Sequence, residues 1–442
     1  MAARKSAGVT KKSAMKQTAK KAPRTPAPRW TPLATDELRI RMYNVGFGDA
    51  FLVRLPTTDG ERTMLIDCGQ HMGGIANPMN SILDDLIASV TVNGTPRIDV
   101  VIATHRHFDH ISGFDSAKWK TVEVGEVWLP WTEKRGDPAA DNIRQTQLRM
   151  AAAIMARFAT ADTRIGWFAL NSFSNRGAER TLLQGFVGVE ERRYLPPPNR
   201  ADRTFTTPRL PGVTIHALGP SHAPDVIATM HPPEDQAFRA LAALAAQPDT
   251  DADTPPATKD AFGTLFAPRY VIDGAKYAKA HRELASHADT ERVIEAAEED
   301  LLGAASAMED AINGTSLMLA FEIGDQTLLF AGDCEWGTWS EVLADQAWRE
   351  LLSRTTVYKV SHHGSFNGTP TGFANDLLPN DATSLMSFRP VEKWPSIPRQ
   401  GLVDALADHN RTLIRSDQIP DAGGALRRNG DLWVELSIPV RG

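Results

Sequence analysis

The chain has 442 residues, 42% hydrophobic and 23% charged, with a net charge of −6, enough for one large domain or two modest ones with a sizeable core. No apolar run approaches the length of a membrane span, and the first residues lack the apolar stretch of a secretory signal. Two cysteines, Cys68 and Cys334, cannot make a disulfide framework, so a reducing cytoplasm is the expected compartment.

The charge is unevenly spread. Nine of the 48 Lys and Arg, and none of the 54 acids, fall in residues 1–30, which leaves −15 on the remainder. Residues 1–33 are rich in Lys, Ala, Thr and Pro without apolar periodicity and read as a disordered basic arm. Three readings of the arm stay open: a phosphate-backbone-binding tail weakened by salt, a solubilising leader, and an acid-free mitochondrial presequence. Residues 34–442 read as one folded domain.

Residues 38–45 alternate like a half-buried strand. The turn Gly46-Phe47-Gly48-Asp49 follows, then strands over 51–55 and 63–67 that close on Asp67-Cys68-Gly69. Residues 78–92 have the spacing of an amphipathic helix. Residues 99–104 are short, apolar and β-branched, the pattern of a buried strand. They run into His105-Arg106-His107-Phe108-Asp109-His110. An extended backbone sends His105, His107 and Asp109 to one side, and the turn brings His110 back. Imidazole nitrogen and carboxylate oxygen are the donors that Zn²⁺, Mn²⁺ or Fe accept. A solvated His-rich loop is the bland alternative.

A strand is expected at 125–130, a helix over 139–158, and a strand at 213–219 that closes on Pro220-Ser221-His222. Residues 232–247 look helical, 248–256 form an acidic loop, and 276–310 are rich in Ala, Glu and Leu. Residues 131–310 are therefore expected to be a mostly helical insertion. It would cap the site, or serve as a packing element, a homo-oligomer surface or a docking surface for a protein partner.

Strands over 316–323 and 326–331 are joined by Gly324-Asp325, a hairpin signal, and the second ends Gly332-Asp333-Cys334. Two strands closing on Asp-Cys thus occur twice, consistent with two similar sheet halves that bring Asp67 and Asp333 near one edge. A helix over 341–353 precedes a strand at 356–360, which ends Ser361-His362-His363-Gly364-Ser365. Strands at 384–388, 412–414 and 432–438 and a helix at 401–409 complete the pattern. Ligands at strand ends converge because neighbouring strands share an edge. Adjacent residues of an extended chain point opposite ways, so one of His362 and His363 is expected to ligate, and both are candidates.

His-x-His-x-Asp-His after an apolar strand resembles the signature of the metallo-β-lactamase fold superfamily. The resemblance implies an α/β fold of the α+β type, an αββα four-layer sandwich, with a metal site at the lip between the sheets. It implies that His105 and His107 serve one ion, that Asp109 and His110 serve another, that Asp333 bridges, and that Asp67 organises the loop behind the metal. The superfamily usually supplies a further His before the strand at 316. Asn313 stands there instead, and His222 is a tentative substitute. Gly46–Ala50, Leu65–Gly69, Asn313–Leu319, Leu329–Asp333 and Lys359–Ser365 resemble one branch, the hydrolase domain of ComEC competence proteins and its soluble relatives. That branch usually has a His-Pro pair where Trp394-Pro395 stands.

The expected activity is metal-dependent hydrolysis, in which Zn²⁺ (one or two ions, with Mn²⁺ or Fe as alternatives) makes a water nucleophilic and polarises the scissile group. Asp109 and His363 are the candidate catalytic residues, and Asp49, Asp67, Asn313 and Ser365 the candidate supporting or substrate contacts. A phosphodiester is the favoured substrate, with nucleic acid as a partner through the basic arm; Arg106, Lys359 and Arg389 are candidate phosphate contacts. A thioester, lactone or lactam hydrolase and a non-catalytic scaffold with a vestigial site are the alternatives.

Overall fold

The computed structural model describes residues 34, 36–147, 175–238, 311–391 and 394–441. The basic arm and the expected helices over 239–310 lie outside these residues. The helix expected at 139–158 is seen over 138–147, where the described stretch ends.

Two sheets face each other. The first contains β1 (Glu37–Tyr43), β2 (Ala50–Thr57), β3 (Gly60–Cys68), β4 (Thr91–Val92), β5 (Thr95–Ile102), β6 (Glu123–Pro130), β7 (Glu191–Leu195), β15 (Leu426–Asn429) and β16 (Trp433–Pro439). Its order is β15-β16-β1-β2-β3-β5-β6-β7, with β4 paired to β5. The second contains β8 (Thr204–Phe205), β9 (Val213–Gly219), β10 (Met318–Ile323), β11 (Gln326–Phe330), β12 (Val357–Lys359), β13 (Thr383–Met386) and β14 (Thr412–Arg415), in the order β14-β13-β12-β11-β10-β9-β8.

Period-two alternation sorts the side chains. Leu38, Ile40 and Met42 of β1 join Phe51, Ile215, Phe321 and Phe330 in the core between the sheets. Phe51 of one sheet meets Phe330 of the other edge to face, centroids 5.7 Å apart. The outer face of the first sheet is covered by α1 (Met79–Ser89), whose Ile82, Leu83 and Leu86 pack beside Phe114 and Trp119. Beyond the metal loop's own short helix, α2 (Phe108–Ile111), come α3 (Arg176–Arg180) and α4 (Pro224–Ile227). The outer face of the second sheet carries α5 (Trp336–Ala344), α6 (Gln346–Leu352), α7 (Thr371–Asp376) and α8 (Gln400–Ala407). Trp339, Trp348, Phe373 and Leu402 form its core. The result is the four-layer αββα arrangement.

A buried ionic cluster fastens the first two layers. Arg41 of β1 donates to Asp85 of α1 at 3.0 Å and to Ser89 at 2.6 Å, reaches Glu435 of β16 at 2.7 Å, and lies 3.9 Å from the Trp433 ring centroid.

Two expectations are corrected. The single helix over 341–353 is two helices, because Asp345 is extended (φ −88°, ψ 118°) and its carboxylate accepts from Trp348 N at 3.0 Å as an N-cap. Among the described residues of the stretch 131–310, strands stand beside the expected one at 213–219. Within it β7 extends the first sheet and β8 and β9 extend the second, where β9 pairs with β10. The residues around 232–238 form only a short turn at Glu234–Gln236.

Candidate metal centre

The topology brings the chemistry to one lip. β3 and β5 are parallel, so their ends, Asp67 and His105 onward, lie side by side. β11 and β12 are parallel in the other sheet and end at Asp333 and His363. Leu317 N donates to Thr104 O at 2.8 Å and joins the two sheets at this lip. The first-sheet loops interlock: Asp49 N donates to Asp109 O at 3.0 Å and Gly69 N to Asp49 O at 2.9 Å. Gly69 has to be glycine, since a Cβ there would stand 2.3 Å from His110 N.

His110 and His363 both turn Nε2 to Asp333 and Nδ1 away from it. His110 Nε2 lies 3.0 Å and His363 Nε2 3.4 Å from Asp333 Oδ2. Asp109 Oδ2 stands 3.4 Å from His363 Nε2 and 3.9 Å from His110 Nε2. On the outer side, His110 Nδ1 donates to Asp67 Oδ2 at 2.9 Å, and His363 Nδ1 donates to Ser387 O at 2.9 Å. Both outer partners fix the tautomer that leaves Nε2 as the donor atom. Asp67 is fixed in turn by Thr104, whose N and Oγ1 each donate to it at 2.7 Å.

His362 and His363 resolve the question of adjacent residues. Both are left-handed, φ 48° and 50°, a conformation that carries strain. The chain turns between them, so His363 enters the cluster. His362 instead donates from Nδ1 to Asn367 Oδ1 at 3.0 Å and accepts from Asn313 Nδ2 at 3.2 Å. His105 Nε2 and His107 Nδ1 face each other at 3.0 Å.

The electrostatics are those of a buried anionic cluster. Burial opposes charge on Asp333, but His110, His363 and Lys359 hold its carboxyl well below the usual range. Burial likewise opposes charge on Lys359, and Asp49 and then Asp333 overcome it and hold the ammonium above its ordinary value. Burial keeps His107 neutral by lowering it to about 4, and lowers His105 and His362 too. Burial opposes charge on His110 and His363 as well, but Asp333 and the neighbouring carboxylates overcome it, raising His110 well above its ordinary value and His363 to about 10. A divalent ion takes neutral imidazoles and ionised carboxylates as ligands, so binding there would displace a proton from each of these two rings.

The donor set fits a metal ion. Tetrahedral bonds of about 2.0–2.1 Å put donor atoms about 3.4 Å apart, and the contacts above among Asp109, His110, Asp333 and His363 span 3.0–3.9 Å. Asp49 also lies within the convergent group, in which donors of Asp49, His110, Asp333 and His363 all fall within 4.8 Å. Its contacts are to the Nδ1 atoms of His110 and His363 and to Lys359 Nζ at 2.5 Å, so it supports the site from behind. Asp109 Oδ1, His107 Nε2 and His363 Nε2 are buried without a hydrogen-bond partner, which an apolar core would not tolerate.

Several expected residues stand elsewhere. His222 is outside the cluster: its Nε2 donates to Pro196 O at 2.9 Å and its ring stacks on Trp131. Lys359 is no surface phosphate contact, being 2% exposed and bonded to Gly332 O at 2.9 Å and Asp333 Oδ1 at 3.3 Å. Arg106 is buried and donates to Gln147. Ser365 is buried on the loop after His363, and its backbone N bonds His362 O at 2.8 Å. The sequence reading missed Thr104 and the Ser387 carbonyl. A lysine closing a buried strand beside two histidines was the available signal for Lys359.

Residues 43–227 match the family model described as Metallo-beta-lactamase superfamily. The fold is the metallo-β-lactamase fold. The match supports placement in that superfamily, which is generally hydrolytic. Among solved structures, Zn(2+)-bound PqqB from Methylobacterium extorquens is similar at 10% identity and a TM-score of 0.37, over 86% of this chain and 97% of that one. No curated protein matches the chain. Among the described residues, no helix is long and apolar enough to cross a membrane.

Proposed function

We propose that the chain is a metal-dependent phosphodiesterase of the metallo-β-lactamase superfamily, with Zn²⁺ as the first candidate ion and Mn²⁺ or Fe as alternatives. The observation that carries the metal reading is the convergence of Asp109, His110, Asp333 and His363, whose donor contacts span 3.0–3.9 Å, with both Nε2 atoms aimed at Asp333 Oδ2 and His363 Nε2 buried without a hydrogen-bond partner. A bound divalent ion supplies Lewis acidity and lowers the pKa of water. The chain's own residues do the rest. Asp109 Oδ2, Asp333 Oδ2, His110 Nε2 and His363 Nε2 would hold the ion. Asp67 and Ser387 O orient the two imidazoles, and Lys359 balances the outer oxygen of Asp333. Asp109 Oδ1 accepts a proton from the attacking water.

The choice of a phosphodiester rests on three supports. The motifs at Gly46–Ala50 and Lys359–Ser365 resemble the ComEC hydrolase branch. Arg389 is exposed on the rim, its Nη1 anchored to Ile75 O at 2.8 Å. The basic arm would add salt-dependent attraction for nucleic acid. A thioester or lactone hydrolase is the second reading, favoured by exposed Met72 and Ile75 near Trp394, which packs on His71 and Phe47. Turnover of bis(p-nitrophenyl) phosphate and of an acyl thioester, each with added Zn²⁺ or Mn²⁺, separates the two. Thioester turnover alone would replace the first reading with the second.

A further inference from the structure

The residue between His105 and His107 is a junction. Side chains alternate along an extended backbone, so where the two imidazoles meet at 3.0 Å the Arg106 side chain runs the other way. It is buried, and its Nη2 donates to Gln147 Oε1 at 2.5 Å. Gln147 Nε2 donates onward to Ala311 O at 2.9 Å, 164 residues away in the chain. Asn175 Nδ2 donates to Arg106 O at 2.5 Å. Gln147, Asn175 and Ala311 are three of the four described residues that border 148–174 and 239–310. The roots of the inserted stretch therefore meet at one residue of the metal loop.

Taking a guanidinium out of water is costly, and Arg106 Nε is buried without a hydrogen-bond partner, so the residue is a weak source of stability. What it supplies is a fixed geometry. We propose that Arg106 is a positioning residue, through which the roots of the inserted stretch hold the His105–His110 loop in its convergent conformation. Its side chain is gripped from one end of 148–174 and its carbonyl from the other. The peptide units around it cannot rotate without leaving a buried polar group unmade, which costs more than the bond itself contributes. The rigid planar fork of arginine suits this better than the flexible ammonium of lysine. The inference rests on the metal reading above for what the loop holds, whereas the hydrogen-bonded junction does not depend on an ion.

The test is amide hydrogen exchange of the metal-free full chain, paired with Co²⁺ titration of the same samples. The reporting amides are those of His110 and Ile111, which bond His107 O at 3.0 and 3.1 Å. Arg106→Met and Gln147→Met keep an apolar stem and remove the bond. Each should speed exchange at these amides about tenfold or more, as expected for losing a hydrogen bond to a charged group, with β1 and β16 unchanged. Each should also weaken Co²⁺ binding about tenfold and alter its visible spectrum, as the loss of an outer partner does. Gln147→Glu keeps an acceptor for Arg106 and should recover most of what Gln147→Met loses. The double variant should be no worse than the worse single, because the two residues act through one bond. Unaltered exchange at His110 and Ile111 would overturn the proposal. So would faster exchange spread evenly over the fold, which marks a merely structural residue. If Arg106→Met misfolds by circular dichroism, the two Gln147 variants decide the matter. A wild-type chain that takes up no Co²⁺, with variants that loosen the loop, would sink the metal reading and keep Arg106 in its role. Tight Co²⁺ uptake with a loop indifferent to both residues would do the reverse.

Discussion

Asp67 and Asp333 grip opposite nitrogens of one imidazole. His110 Nδ1 lies 2.9 Å from Asp67 Oδ2, and His110 Nε2 lies 3.0 Å from Asp333 Oδ2. One carboxylate is thus an orienter and the other a candidate ligand, although both stand near the end of a strand and both precede a cysteine. Asp67→Asn should weaken divalent-ion affinity about 10–100-fold, the usual cost of losing an outer partner. Asp333→Ala should abolish tight binding with the fold retained. Competition with a chelating indicator reads both, and equal losses from the two variants would remove the distinction.

Glycine at 69 is a packing requirement of the metal loop. Its Cβ would meet Asp109 C and His110 N at 2.3 Å, whereas a Cβ at Gly94 meets nothing within 4 Å. Gly69→Ala should cost about 1–3 kcal/mol of stability by overpacking and also loosen ion binding. Gly94→Ala should cost about 1 kcal/mol, from its positive φ alone, and leave ion binding intact. Urea unfolding and ion titration of the pair check this; an unaltered ion affinity in Gly69→Ala would contradict it.

Arg41 is the fastening of the first two layers. Removing it leaves Asp85 and Glu435 buried without their shared cation, Asp85 keeping only the Tyr43 hydroxyl at 2.9 Å and the Asn429 amide at 3.3 Å, so Arg41→Met should cost about 3–5 kcal/mol in urea unfolding. A loss under about 1 kcal/mol would show that water reaches the two acids.

Acid should weaken the start of β1. Two bonds from Arg39, at 2.9 and 3.0 Å, hold the Glu37 carboxyl at about 2 instead of 4.5. A depressed carboxyl stabilises the fold above its unfolded pKa and loses that contribution as pH falls from 4.5 towards 2. Solvent screening keeps the effect to no more than about 1 kcal/mol. Glu37→Gln should therefore be slightly less stable than the wild-type chain at pH 7, and the gap should narrow below pH 4.5. A gap that widens in acid would reverse the assignment.

The legible parts of the sequence were those where local pattern and chemistry coincide. The strand before His105 announced itself by β-branched apolar residues, and the repeated Asp-Cys placed Asp67 and Asp333 at one edge, where they now share His110. What was hidden depends on distant partners. His222 follows a strand as a ligand would, yet Trp131 and Pro196 O claim it. Lys359 looked like surface charge because Asp49, which buries and pairs it, lies more than 300 residues away in the chain. β7 is mostly charged and half-exposed at the sheet edge, so it had no hydrophobic signature. The break at Asp345 is a capping event inside an otherwise helical pattern.

The account turns on a divalent ion held by Asp109, His110, Asp333 and His363. Elemental analysis of the purified full chain after exhaustive dialysis tests that directly. The account predicts at least about one ion per chain, lost in Asp333→Ala. A wild-type chain that neither retains nor takes up a divalent ion, or a metal content unchanged by that substitution, would contradict it.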